Sequence, residues 1–412
     1  MSTQKFLDWW ERGVYGALCC SIFLLGLGRI ELGFLDQGMS AWSISRTTFG
    51  FWVILKLLTL IYRGWPENLS AAILELAPLW LFFTTVTISL LPDFRSSGDY
   101  RYLIFAVAHA VMVVDQFASI RRQRWLLLLL AVSPLILVVR GFIYDPSIFN
   151  FALAHRFGYP LDHANTAGYL LAMSFPLCLL VALAEQRWLR WLAVVSCLGQ
   201  ILALLLTYSR GSWLGWIGAL VFFAVASKQW KPLIATVVIV ATCVAALPSV
   251  SQRMFSVIRP HGDPSMEDRL RVLKDAICIG LDHPVLGVGY GRGRLKGALR
   301  SDFQETYSKS QPIHSHSVYV ELFAETGVLG LGAFLWLILN TLYRLLRSAR
   351  DRAPAERLVG LTIASSWTAA AVAGVGDIPF YHHEPRIFFF SLFALAYLYC
   401  RATDVPRAVV AD

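Results

Sequence analysis

The chain has 412 residues, of which 57% are hydrophobic and only 15% charged, and its mean hydropathy is +0.57. A soluble domain is about a quarter charged, so this composition excludes a disordered chain and argues against a soluble enzyme. The net charge of +9 would point to nucleic acid in a soluble protein. Here it reads as topogenic, because Lys and Arg collect in the cytoplasmic loops of membrane proteins, and no nucleic-acid partner is expected.

Apolar runs close to the length of about 20 residues that crosses a bilayer recur along the chain, at 14–30, 46–62, 71–91, 101–119, 125–143, 165–185, 188–208, 211–227, 231–249, 317–342, 357–378 and 384–400. Backbone groups cannot stay unpaired in lipid. The pattern therefore predicts an all-α, polytopic integral membrane protein with about twelve transmembrane helices. The first run follows Lys5 and Arg12 and has no clean small-residue cleavage site, so it reads as a membrane helix and not as a cleaved signal. With the N-terminus in the cytoplasm, Lys and Arg are in excess on the inside, as at Arg121, Arg122, Arg124, Arg344, Arg347 and Arg350. Both termini are then cytoplasmic, in an inner membrane.

Three parts follow: helices one to nine over 1–249, a large periplasmic loop over 250–316, and helices ten to twelve with a cytoplasmic tail over 317–412. In the loop, Ser265-x-x-Asp268 has the form of a capping box. Leu270, Leu273, Ile277 and Leu281 follow at helical spacing until Pro284, which predicts an amphipathic helix capping the bundle. The seven cysteines form no CxxC pair and sit mostly in apolar runs, where they read as small packing residues.

Chemistry concentrates at one face. Of nine histidines, all but His109 fall in or beside predicted periplasmic loops, and such clustering marks a candidate site. His314 and His316 precede a long apolar helix that carries Tyr319, Glu321, Glu325, Gly327 and Gly330. Two carboxyls on one membrane helix need a polar cavity or a partner. A metal site is not indicated by the spacing, because the His-x-x-x-His pair of helical zinc motifs is missing. Tyr208-Ser209-Arg210-Gly211 forms a polar turn between two spans; its arginine can snorkel to headgroups or grip a phosphate bidentately, and spacing does not choose between them. The glycine-rich stretch from His283 to Arg294 lacks the features of a nucleotide loop. It reads either as a return toward the bilayer or as a loop around a polyanionic or sugar substrate, with Arg292, Arg294 and Lys296 nearby.

Taken together these residues resemble the O-antigen ligase and polymerase family of bacterial envelope glycosyltransferases. His316-Ser317, nine residues, then Gly327-x-x-Gly330 is similar to the ligase motif, Ser209-Arg210-Gly211 to the family's Ser-Arg-Gly turn, and Arg269 with the following loop to its arginine helix. Gly158, Asn165 and Gly168 resemble a weaker glycine/asparagine stretch. Leu273 departs from the family, whose members often carry Trp there. The resemblance implies transfer of polysaccharide from undecaprenyl diphosphate to lipid A–core at the periplasmic face, without metal, nucleotide or other cofactor. It implies His316, Arg210 and Arg269 as catalytic groups: an imidazole base on the acceptor hydroxyl and two fixed cations on the leaving diphosphate, with inversion at the anomeric carbon. His314, Tyr208, Ser209, Asn165, Arg292, Arg294 and Tyr319 are the expected substrate-binding residues. An O-antigen polymerase is the nearest alternative. A transporter or lipid flippase is a second, for which only Lys56, Glu75, His109 and Asp115 offer mid-membrane charge.

Overall fold

A computed structural model describes residues 3–27, 29–30, 39–63, 76–91, 98–153, 155–161, 163–184, 188–258, 264–291, 294–295, 297–298 and 314–402. Its regular structure is helical apart from one two-residue antiparallel pair, Arg29–Ile30 with Met39–Ser40. In chain order the helices are α1 Thr3–Phe23, α2 Ala41–Arg63, α3 Ala77–Ser89, α4 Gly98–Gln116, α5 Ile120–Tyr144, α6 Ala164–Ala184, α7 Trp188–Leu206, α8 Arg210–Ser227, α9 Lys231–Ala246, α10 Pro248–Ile258, α11 Pro264–Asp282, α12 Val318–Arg350, α13 Pro354–Ala373 and α14 His383–Arg401.

A helix coincides with each of the twelve predicted apolar stretches, but length and hydropathy do not qualify them all as spans. Among the described residues six helices are long and apolar enough to cross a membrane. These are α2 from Ser43, α5, α6, α7, α8 and α12. A seventh crossing arises if α9 and the start of α10, bent by 110° at Pro248, form one broken span. The short α3 runs 13 residues, below the bilayer requirement.

Starts and stops follow local chemistry. Pro stands in the first turn of α3, α9 and α13, where its missing N–H costs nothing. The Ser119 hydroxyl caps α5 by accepting from the Arg122 N–H at 3.3 Å. The core is one continuous apolar cluster fed by helices from both ends of the sequence. Within it α13 packs on α6 and α8, α12 on α3 and α13, and α14 on α4.

The mid-membrane charges turn out to be structural. Lys56 Nζ lies 2.7 Å from Asp115, which also accepts from Trp52 Nε1 at 2.7 Å. His109 sits between the Ser45 and Ser391 hydroxyls, each at 2.8 Å. These partners tie α2 to α4 and α4 to α14, so Lys56, Asp115 and His109 are each satisfied across the bundle. Glu75 lies outside the described residues.

The amphipathic helix predicted from 270 onward exists as α11, yet its buried face differs from the expected one. Leu270, Ile277 and Leu281 are exposed, whereas Val272, Ala276 and Ile279 are buried against Leu295 and Ala324 of α12. On this face α11 lies close on α12: a Cβ on Gly280 would come within 2.4 Å of the Phe323 ring. The side chains of Ser265 and Asp268 lie outside the described residues.

Helix α12 is interrupted. Gly327 has φ 64° and ψ −165°, a conformation open to glycine and strained for any other residue. The glycine-rich loop docks at this break. Val288 N–H donates to Ala324 O at 2.9 Å, Gly289 N–H to Glu325 O at 2.8 Å, and Val328 N–H to Pro284 O at 2.8 Å. Gly287, at φ 65°, faces it so closely that a Cβ would come within 2.3 Å of the Glu325 carbonyl carbon; one on Gly327 would lie 2.2 Å from Val285 O. Gly327→Val is therefore expected to destabilise the fold by about 2–4 kcal/mol, from overpacking plus left-handed strain. A thermal melt in detergent checks it; an unchanged melting temperature would refute this docking of loop on helix.

Candidate functional site

The first turns of α6, α8, α12 and α14 and the last turn of α13 meet at one end of the bundle. Here the backbone is tightened by close approaches. A Cβ on Gly168 would lie 2.4 Å from Ser212 Oγ, so α6 reaches the 207–212 turn only because that side chain is missing. Val318 N–H, at the start of α12, donates to Gly374 O at 2.9 Å and to Asp377 O at 3.1 Å. That pair of bonds fixes the histidine segment against the α13–α14 loop.

His316 stands just before α12 with φ 58°, an unusual conformation for a non-glycine residue and one that clusters at functional sites. Its Nδ1 lies 3.8 Å from Oδ1 of Asp377. The His314 ring meets it edge-on, with centroids 4.1 Å apart at 67°. Ser315 is buried between them, and its N–H donates to Glu321 Oε2 at 2.6 Å.

Asp377 is the centre of the arrangement, and the sequence did not single it out. It is 2% exposed. Oδ2 accepts from Asn165 Nδ2 at 2.5 Å, and Oδ1 from the Ile378 N–H at 2.9 Å. Burial by itself would raise its pKa; the His316 and His314 imidazoles beside it outweigh that and hold it below the usual carboxylate range. The carboxylate is thus kept charged next to an imidazole.

A second unforeseen residue completes the chain of contacts. Arg156 donates through Nη2 to Asn165 Oδ1 at 2.7 Å and through Nε to Thr207 O at 2.8 Å. Burial, and the neighbouring charge of Arg269, lower the Arg156 pKa from its ordinary value. Arg269, half-buried in α11, also bears on His163. Arg156 and Arg269 are therefore two cations at the same end as His316, and Arg156–Asn165–Asp377–His316 forms one line of interacting side chains. The only signal for Arg156 was its place between His155 and Gly158; Asp377 had none beyond lying at a span end.

The remaining expected residues are placed as follows. Ser209 precedes α8, and its Oγ accepts from Ser212 Oγ at 2.9 Å; Arg210 opens that helix, half-buried. Tyr208, at φ 50°, is buried with its hydroxyl 2.8 Å from Ser249 Oγ. The Tyr319 hydroxyl donates to Ala371 O at 2.6 Å, a tie between α12 and α13. The Arg294 side chain runs along Gly289, where a Cβ would lie 2.9 Å from its Cδ. Arg292 and Lys296 lie outside the described residues. Glu325 does not turn toward His316: it accepts from the Tyr381 hydroxyl, and Tyr381 stacks on Tyr290 of the glycine loop at 5.7 Å.

The fold and site define a multi-pass helical membrane protein with a histidine–carboxylate pair and arginines gathered at one end of its bundle. Residues 193–335 match the family model described as O-antigen ligase. The matched stretch contains Ser209-Arg210-Gly211, Arg269, the glycine loop and His316 through Gly330; Asn165, Arg156 and Asp377 lie outside it. No curated protein sequence matches the chain.

Proposed function

We propose that the protein is an O-antigen ligase that transfers polysaccharide from an undecaprenyl-diphosphate carrier to lipid A–core at the periplasmic face of the bacterial inner membrane. The single observation that carries this reading is His316 beside the buried Asp377 carboxylate, at 3.8 Å, in an end of the bundle that also holds Arg156 and Arg269. Glycosyl transfer from a lipid diphosphate needs a base and fixed positive charge, and those are the groups gathered here.

In this reading His316 accepts the proton of the attacking acceptor hydroxyl through Nε2, while Nδ1–H faces Asp377. Asp377 orients the ring and stabilises the imidazolium that forms, as the carboxylate does in hydrolase triads. Arg210 and Arg269 meet the phosphates as charge develops on the leaving diphosphate. Arg156 acts as a positioning residue by holding Asn165 on Asp377. His314 and Ser209 flank the reacting groups. Energy comes from the donor's own diphosphate bond, no metal or nucleotide enters the reaction, and one displacement inverts the anomeric carbon.

The test uses purified protein, a polyprenyl-diphosphate-linked glycan and lipid A–core, with EDTA and without nucleotide. Wild type is expected to give a ladder of glycan-bearing lipid. Arg210→Ala and Arg269→Ala are each expected to lower the rate by about 10²–10³-fold, the scale of losing one fixed donor to a developing anion. Lengthening of the donor alone would replace ligase by polymerase. Product with retained anomeric configuration would overturn the single displacement. Donor crossing the bilayer without reaction would make the protein a flippase.

A further inference from the structure

We propose that His314, His316 and Asp377 also form a binding site for one divalent transition-metal ion of the Zn2+ class, and that an ion bound there blocks transfer. The inference rests on the reading of His316 as the base. One ligand atom from each of the three residues lies within 4.8 Å of the other two. Within the set, His316 Nδ1 and Asp377 Oδ1 are 3.8 Å apart. Ligand atoms on a tetrahedral zinc with bonds of about 2.0–2.1 Å sit roughly 3.3 Å apart, so a rotation of the imidazole closes the set. The two rings are inclined at 67°, which lets their nitrogens converge on one point instead of stacking.

The donor set selects the ion. Two imidazoles and one carboxylate suit Zn2+, Ni2+, Cu2+ and Co2+, and disfavour Mg2+ and Ca2+, which take oxygen ligands. The carboxylate is already held in place, because Asn165 and the Ile378 N–H fix both oxygens, as outer partners commonly do for metal ligands. His316 is 27% exposed through its side chain, so the site opens on one side and ions can reach it. Arg156 and Arg269 oppose an added dication. Only ions with strong imidazole affinity overcome that repulsion, which again favours the later transition metals. An ion on His316 takes the lone pair of Nδ1, so the neutral ring carries its proton on Nε2 and can no longer accept the proton of the attacking hydroxyl.

The experiment titrates Co2+ into EDTA-stripped, purified full-length protein in detergent and follows its visible d–d absorption. One Co2+ per chain is expected. Affinity should fall at least tenfold in Asp377→Asn and in His314→Gln, and rise in Arg269→Gln, where repulsion is relieved. A size-exclusion profile matching wild type establishes that each variant is folded; His314→Ala serves as a second variant should His314→Gln fail that check. In parallel, Zn2+ is expected to slow transfer at least tenfold, and EDTA to restore it. No Co2+ uptake by wild type, or uptake unchanged in both ligand variants, would overturn the site. Faster transfer with Zn2+ would overturn the blocking role. Co2+ uptake by these ligands in a protein with no transferase activity would leave the metal site standing and refute the ligase reading instead.

Discussion

His316→Ala is expected to lower the transfer rate by about 10²–10⁴-fold, the range that a positioned general base supplies. On the proposed reading the loss should appear in kcat, since a base acts on the proton that moves in the transition state and contributes less to ground-state binding. Stability should fall only in part, because Asp377 loses one of the two imidazoles that offset its burial and keeps His314, Asn165 and the Ile378 N–H. Initial rates over a range of acceptor concentrations, with a size-exclusion profile matching wild type, check both parts. A variant that keeps its kcat and loses only acceptor affinity would make His316 a binding group and move the base elsewhere.

Asp377→Asn should show the second largest effect, a fall in kcat on the order of 10²-fold or more. In a hydrolase triad the same replacement costs about 10⁴-fold, because the amide stabilises the wrong imidazole tautomer. The effect here should be smaller, since 3.8 Å between Nδ1 and Oδ1 is longer than a hydrogen bond. Its acid limit also has a sign. The carboxylate pKa is depressed in the folded protein, so its contribution to stability is present above the unfolded value and is lost as pH falls through the folded one. On acidification, wild type is expected to lose more of its neutral-pH melting temperature than Asp377→Asn does. Parallel acid curves for the two proteins would contradict the charged state assigned to Asp377.

Much of this was legible in the sequence because it is written in contiguous letters. The His316 to Gly330 motif, the Ser209-Arg210-Gly211 turn and the apolar runs each declare themselves within a short window, and helices stand where those runs are. Gly327 reads as a small residue for helix packing but serves as the point where α12 breaks, a role that spacing does not reveal. Asp377 and Arg156 were missed for a different reason. Each is a single polar residue at the edge of an apolar stretch, and they meet only through Asn165, which joins Asp377 to a segment 212 positions away. Nor could the pattern say which face of α11 is buried. Leu270, Ile277 and Leu281 carry the stronger periodic signal, yet Val272, Ala276 and Ile279 are the residues buried toward α12. Apolarity marks twelve stretches, while among the described residues length and hydropathy qualify six helices, or seven if one bent pair is a single span.

The junction between the glycine loop and α12 bears on how such a protein can diversify. Its three bonds at 284–289 and 324–328 run from main chain to main chain, and Gly287, Gly289 and Gly327 are held to glycine by their positive φ. Side chains elsewhere along the loop can be re-lettered while the joint, and the segment leading to His316, keep their shape. On the proposed reading, descendants of one ancestor can thus acquire different glycan preferences in this loop by ordinary point mutation, without reopening the placement of His316; the glycines at the joint are expected to be inherited or lost together.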